Sequence, residues 1–298
     1  MRRFRVPGEL DLLATLRPLV HSAQDPTIRL RRDGVVRASR TPEGAGTVEI
    51  VRESAGTYTA RAWGPGADWL LDGAPALVGG EDDCSDFDPS PHPAVARAAH
   101  GRPGLRLGRS GVAWDAVVPT ILAQRVTSRE AARSWTRLVR AHGEPAPGPY
   151  DLRLQPAPER LASLPYWAYH RFGVERARAE TIVAASRCSR RLEQALTLPS
   201  AEATARLCAV RGLGPWTAAL VLRIAAGDAD QVEVGDFHVK NQVAWALAGE
   251  PRGTDERMLE LLAPFAGHRG RVVRLLLATG VRAPAFGARQ RIVAIERL

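Results

Sequence analysis

VRGLGPWTAALVL, residues Val210 to Leu222, sets two glycines and a proline directly before an apolar helical run. Upstream, SAEATARLCAV (Ser200–Val210) has helical spacing, with Ser200 as the expected N-cap. Gly212 and Gly214 allow a tight turn through positive φ, and Pro215 suits the first position of a new helix. The stretch reads as helix, glycine hairpin, helix, with the hairpin at about 207–216. Such a turn leaves backbone N–H groups free at a helix N-terminus, where an anion such as phosphate is favoured. An ordinary αα-hairpin carries the same local pattern, so the meaning of the turn depends on its context.

One short helix later comes VEVGDFHVKN (Val232–Asn241), with Asp236 at the start of the helical pattern FHVKNQVAWAL. A helix cap is one role for this aspartate. The other follows from its closeness to the hairpin. A carboxylate beside a gripped DNA strand suits chemistry at a deoxyribose, stabilising an oxocarbenium-like centre or orienting water.

Composition bounds the alternatives. The chain has 298 residues, 45% hydrophobic and 24% charged, enough for a large core and more than one domain. Arginine and lysine number 41 against 32 acidic residues, giving a net charge of +9 that favours a polyanionic partner. Lys240 is the sole lysine, so coding bias toward arginine contributes to that surplus. No run is long and apolar enough for a membrane span. The start, MRRFRVPGELDLL, is basic without a signal-type apolar core, so a cytoplasmic protein is expected. Cys84, Cys188 and Cys208 lie far apart. They have no zinc-ligand spacing and are too few for a four-cysteine iron–sulfur cluster, so three reduced thiols, some of them buried, are expected.

The pattern predicts an α+β chain, a small antiparallel sheet module followed by a mostly helical body. TVEIVRE (Thr47–Glu53) and TYTARAW (Thr57–Trp63) alternate around SAG as a hairpin, and TIRLRRDGVVRASR (Thr27–Arg40) suggests a strand pair around Asp33-Gly34. LDLLATLRPLVHSA (Leu10–Ala23) reads as an amphipathic helix before them. GGEDDCSDFDPSPHP (Gly79–Pro93) is acidic and turn-rich, which suits a solvated linker between domains at 1–88 and 94–298. Beyond it, Trp114–Gly143 carries helical spacing throughout, and HRGRVVRLL (His268–Leu276) reads as a basic helix facing either DNA or solvent.

GLGPWTAALVL followed by VGDFHVKN resembles the helix-hairpin-helix DNA glycosylase superfamily, and within it the bacterial 3-methyladenine DNA glycosylase II (AlkA) type. GRPGLRLGR (Gly101–Arg109), ILAQRVTS (Ile121–Ser128) and FGVERARAETI (Phe172–Ile182) resemble further segments of that type, the last with Arg178 in place of a lysine. The resemblance implies that Asp236 is catalytic and that a flipped base is received by Trp216, Phe237, Leu220, Gln124 and Phe265. Leu220 stands where the AlkA type has tyrosine, and Arg125 where it has a leucine that fills the gap left by the flipped base. Arg211, Gly212, Gly214 and Thr217 would hold DNA, with Arg125 as the plug and Lys240 in a salt bridge or on a phosphate. Bifunctional members carry a lysine where this chain has Trp216, so the resemblance implies base removal without strand cleavage.

It further implies an alkali-metal ion, Na+ or K+, on the carbonyls of Cys208, Val210 and Leu213, with no other cofactor, zinc or iron–sulfur cluster. The expected partner is double-stranded DNA, bound by a monomer, and the expected reaction is release of alkylated purines. Two alternatives stand beside this reading: a non-catalytic hairpin protein that grips DNA, and a glycosylase for deaminated or oxidised bases.

Overall fold

The computed structural model describes residues 1–286; the last twelve positions of the predicted 94–298 domain lie outside the described residues. The N-terminal part is a five-stranded antiparallel sheet ordered β1-β5-β4-β3-β2. Its strands are β1 (Arg2–Arg5), β2 (Ile28–Leu30), β3 (Gly34–Thr41), β4 (Gly44–Ser54) and β5 (Thr57–Trp63). The two predicted strand pairs are present, and β1 adds an edge strand that RRFR did not announce. Period-two alternation covers both faces. Val35, Val48, Ile50 and Tyr58 enter the main core, while Val36 and Ala38 meet Leu152 and Leu154 behind the sheet.

Helix α1 (Leu12–Leu16) lies between β1 and β2, and α2 (Ala67–Leu77) follows β5. The predicted helix at Leu10–Ala23 is shorter than expected, because Pro18 sits in a 3₁₀ turn, Arg17–Leu19, that follows α1. The body contains α3 (Pro93–His100), α4 (Trp114–Leu122), α5 (Ser128–His142), α6 (Pro158–Ala162), α7 (Arg176–Arg187) and α8 (Ser189–Ala195). It continues with α9 (Ser200–Cys208), α10 (Pro215–Ala225), α11 (Val239–Ala248), α12 (Asp255–Leu262) and α13 (Arg269–Ala278). Trp114–Gly143 is thus two helices, not one. Thr127 and Glu130 form a reciprocal capping box that starts α5 afresh.

Two of the apolar clusters among the described residues are large. The larger runs from the sheet through α4 and α7 to α10; the smaller joins α3 with α11, α12 and α13. A buried polar cluster ties sheet to body: Asp115 of α4 pairs with Arg37, accepts Ser39 Oγ at 2.8 Å and accepts Gln155 Nε2 at 3.0 Å. Burial raises the Asp115 carboxyl, and Arg37 opposes that rise.

The acidic stretch is mostly exposed, as a linker would be, yet it is anchored to the body at a few points. Asp82 is buried against Arg271, with both side chains 4% exposed, and also accepts Leu107 N. Asp86 meets His268, and Phe87 packs on the smaller core. The basic helix α13 likewise turns its arginines inward. Arg271 meets Asp82, Arg269 pairs with Asp230, and Arg274 donates to the Ala14 carbonyl at 2.8 Å, so protein partners take up all three head groups. The three cysteines are free thiols, Cys84 exposed and the other two half-buried, so none is fully buried as expected.

Candidate functional site

The hairpin between α9 and α10 differs in detail from its sequence reading. Only Gly212 has positive φ, at +89°, and a Cβ there would lie 2.2 Å from Thr181 Oγ1. Gly212 is required both for its backbone and for its closeness to α7. Gly214 instead is extended, φ −95° and ψ −179°, as the residue before Pro215. Nothing lies within 4 Å of a Cβ built on it, so the fold itself does not need glycine there. Ser200 does not cap α9; its hydroxyl donates to Asp228.

The structure brings Trp216 and Asp236 together. The indole Nε1 of Trp216 donates to Asp236 Oδ2 at 2.9 Å. Asp236 Oδ1 accepts the backbone N–H groups of His238 at 2.7 Å and Val239 at 2.9 Å, so the aspartate also caps α11. Its own N–H donates to the Glu233 carbonyl at 3.0 Å, and Glu233 is buried against Arg223. Asp255 fixes the same loop from α12, accepting Gly235 N at 3.0 Å and meeting Lys240 Nζ at 3.4 Å. The carboxylate is therefore half-exposed but directionally fixed, with each oxygen already held by an N–H. Lys240 is in the salt bridge that was one of its two expected roles.

Gln124, expected in a base pocket, commits its amide nitrogen to the hairpin, donating to Gly212 O at 3.0 Å and Thr217 Oγ1 at 2.9 Å. Thr217, expected to touch DNA, is buried and takes that bond instead. Arg125, next to Gln124, is exposed at φ +56°, the sole non-glycine residue with positive φ among the described residues. Arg211 is exposed beside Gly212. Phe237 projects from the Asp236 loop, 76% exposed, with its ring edge-on to His238. Leu220 is half-buried one turn beyond Trp216. Phe265 is a correction: it is buried in the smaller core among Met258, Leu262 and Val272, so it forms no open wall.

Sequence reasoning missed Asp255, Glu233, Arg223 and Thr181. TDERM signals a helix start at Thr254, but nothing in it says that Asp255 reaches across to Gly235. Of two cavities in the fold, neither is lined by Asp236 or Trp216, and one touches the support of the site through Arg223. One, of about 20 Å³, is lined by residues such as Arg106 and Arg223; the other, of about 750 Å³, lies beside β2 and α5. Among the described residues no group of three or more His, Cys, Asp or Glu side chains could hold a metal ion, and no helix is long and apolar enough to cross a membrane.

No family model matches the chain. It is 30% identical over 127 residues to DNA-3-methyladenine glycosylase 2 of Escherichia coli K12, covering 42% of this chain and 45% of that protein. It is 29% identical over 157 residues to the probable bifunctional transcriptional activator/DNA repair enzyme AlkA of Mycobacterium tuberculosis H37Rv, covering 51% of this chain and 30% of that protein. The matches span less than half the length of these relatives. In structure it is similar to the 3-methyladenine DNA-glycosylase of Archaeoglobus fulgidus, with a TM-score of 0.80 at 18% identity over 94% of this chain and 98% of the other. The chain thus resembles the AlkA-type DNA glycosylases in sequence and shares their fold: an antiparallel sheet in front of a helical body that carries a glycine hairpin.

Proposed function

We propose that the protein is a monofunctional DNA N-glycosylase that removes alkylated purines of the 3-methyladenine kind from double-stranded DNA. The observation that carries this reading is the Trp216–Asp236 hydrogen bond, which puts an aromatic face and an oriented carboxylate at one end of the hairpin. The hairpin N–H groups around Gly212 and Gly214 grip a phosphate. Arg125 enters the duplex and replaces the extruded nucleotide. The base stacks on Trp216, with Phe237 free to turn toward it. Asp236 stabilises positive charge on the sugar as the base departs, and water completes the displacement.

Tryptophan cannot form a Schiff base, and Lys240 is held by Asp255, so the strand stays intact. An alkali-metal ion fits the hairpin's donor set. Among the described residues the carbonyls of Cys208 and Leu213 accept no backbone hydrogen bond, and that of Val210 accepts one, from Leu213. Such an ion would supply positive charge for a phosphate. The protein acts as a monomer and, with DNA as substrate, in the cytoplasm.

The test is incubation with duplexes bearing single 3-methyladenine-type, 7-methylguanine, hypoxanthine or 8-oxoguanine lesions, read with and without alkali. The expected result is cleavage of alkylated duplexes only after alkali, abolished by Asp236→Asn. Strand scission without alkali would contradict the monofunctional assignment. Absence of base release from every duplex would leave a DNA-gripping protein instead.

A further inference from the structure

Three arginines from separate segments converge on one small cavity away from Asp236. Arg106 follows α3, Arg223 lies near the end of α10, and Arg274 belongs to α13. With Thr15 of α1, Leu77 of α2 and Ile224 of α10 they line a space of about 20 Å³, room for a single water-sized or halide-sized occupant. The Nε–H groups of all three arginines are buried without a hydrogen-bond partner. One outer nitrogen of each is committed elsewhere: Arg106 Nη2 to the Pro7 carbonyl, Arg274 Nη2 to the Ala14 carbonyl, and Arg223 Nη1 to Glu233. Thr15 Oγ1 accepts the Arg106 N–H at 3.1 Å, a bond that leaves its own hydroxyl proton available.

The chemistry of this lining is one-sided. Its lining residues carry three unpartnered guanidinium N–H donors and a hydroxyl, and none of them is acidic. Glu233 pairs with Arg223, which leaves the charges of Arg106 and Arg274 without a carboxylate partner in the described structure. Arg274 responds accordingly: burial first, and then Arg223, push its guanidinium down to about 10, with Glu233 opposing. A water molecule has two lone pairs for these donors and brings two protons of its own. A spherical anion accepts from every side and offsets the buried charge.

We propose that this cavity binds one small monovalent anion, chloride or a chemically similar halide, on the Nε–H groups of Arg106, Arg223 and Arg274. The ion joins segments of the sheet module to α10 and α13, and so bridges the two cores. It also stands close to the reaction loop in bonding terms, because Arg223 holds Glu233 and the Glu233 carbonyl holds the Asp236 N–H.

The test compares thermal unfolding of the full chain in sodium chloride, bromide and gluconate at equal ionic strength, together with bromide anomalous diffraction from crystals. Chloride and bromide are expected to raise the midpoint saturably, by about 2–4 °C over gluconate. Arg274→Met and Arg106→Met are expected to lose that difference. The second variant is the milder, since the Arg106 head group makes one described hydrogen bond at its partly exposed end. An anomalous peak is expected within hydrogen-bond reach of the three Nε atoms. Equal midpoints in the three salts, or a cavity that holds only water in bromide crystals, overturns the proposal. Both readouts on the unaltered chain stand even if a variant fails to fold.

Discussion

At the residue scale, Asp236 caps α11 and carries the role proposed for it in base release, and substitution can separate the two. Asparagine keeps a side-chain oxygen for the His238 and Val239 N–H groups but removes the carboxylate. Asp236→Asn is therefore expected to unfold only slightly below the wild-type temperature, because its amide N–H groups then face the Trp216 indole N–H, while base release is lost. Asp236→Ala should lose base release as well and about 1 kcal/mol of stability with the cap, which calorimetry beside a lesion assay would resolve. Trp216→Phe keeps most of the ring and deletes only the donor to Asp236. It is expected to slow base release roughly ten- to a hundredfold, the worth of one hydrogen bond to a charged acceptor (about 1.5–3 kcal/mol), with duplex affinity unchanged. Arg125 sits in the left-handed region, a conformation that costs a non-glycine residue about 1–2 kcal/mol. Arg125→Gly should raise the unfolding temperature and lower the rate on lesion duplexes; a faster enzyme would contradict the plug role.

At the element scale, the hairpin's two glycines make opposite forecasts. Gly212→Ala forces a Cβ into Thr181 at positive φ, so both stability and DNA affinity should fall. Gly214→Ala meets open space in an ordinary conformation, so its unfolding temperature should hold while affinity for DNA drops. An unchanged affinity would remove phosphate contact from that position. The hairpin, its proline and the aspartate were legible in the sequence because each obeys a local rule. Other parts were not, for physical reasons. The α2 helix hides behind Gly73 and Pro75, and β1 reads only as a basic tail. Gln124 was legible as a site residue but not in its role, because a hydrogen bond to Gly212 across the fold has no local signature.

The start of α4 carries a pH-dependent term. Glu193 accepts the N–H groups of Ala113 and Trp114 at 2.7 and 2.8 Å, yet burial pushes its carboxyl up to about 7. A carboxyl raised in the fold contributes most below about pH 4.5 and loses that contribution as pH climbs to about 7. Buried His21, pushed down to about 4 chiefly by burial, works in the opposite sense, losing stability as pH falls from 6.5. The informative measurement is therefore the difference between Glu193→Gln and wild type from pH 4.5 to 8, which should move in favour of the variant as pH rises.

At the scale of the whole molecule, the acidic stretch is a clasp. Asp82 pairs with Arg271 deep in the protein, so Asp82→Asn leaves a buried guanidinium without its counter-charge. The expected loss is about 3–5 kcal/mol, measurable by denaturant unfolding, whereas Asp88→Asn at the exposed end of the same stretch should change little. The sequence showed this stretch as acidic and turn-rich; only the packing of α13 against it reveals which carboxylate is enclosed. The arginine-for-lysine bias, with the lone Lys240 tied to Asp255, has a consequence for how activity should vary in alkali. Guanidinium groups as a class keep their protons far above the range in which ammonium groups neutralise. For the proposed glycosylase, attraction to the nucleic-acid backbone would therefore persist at high pH, and a falling alkaline limb in a rate profile would report on the leaving base or on the fold rather than on a fading electrostatic grip.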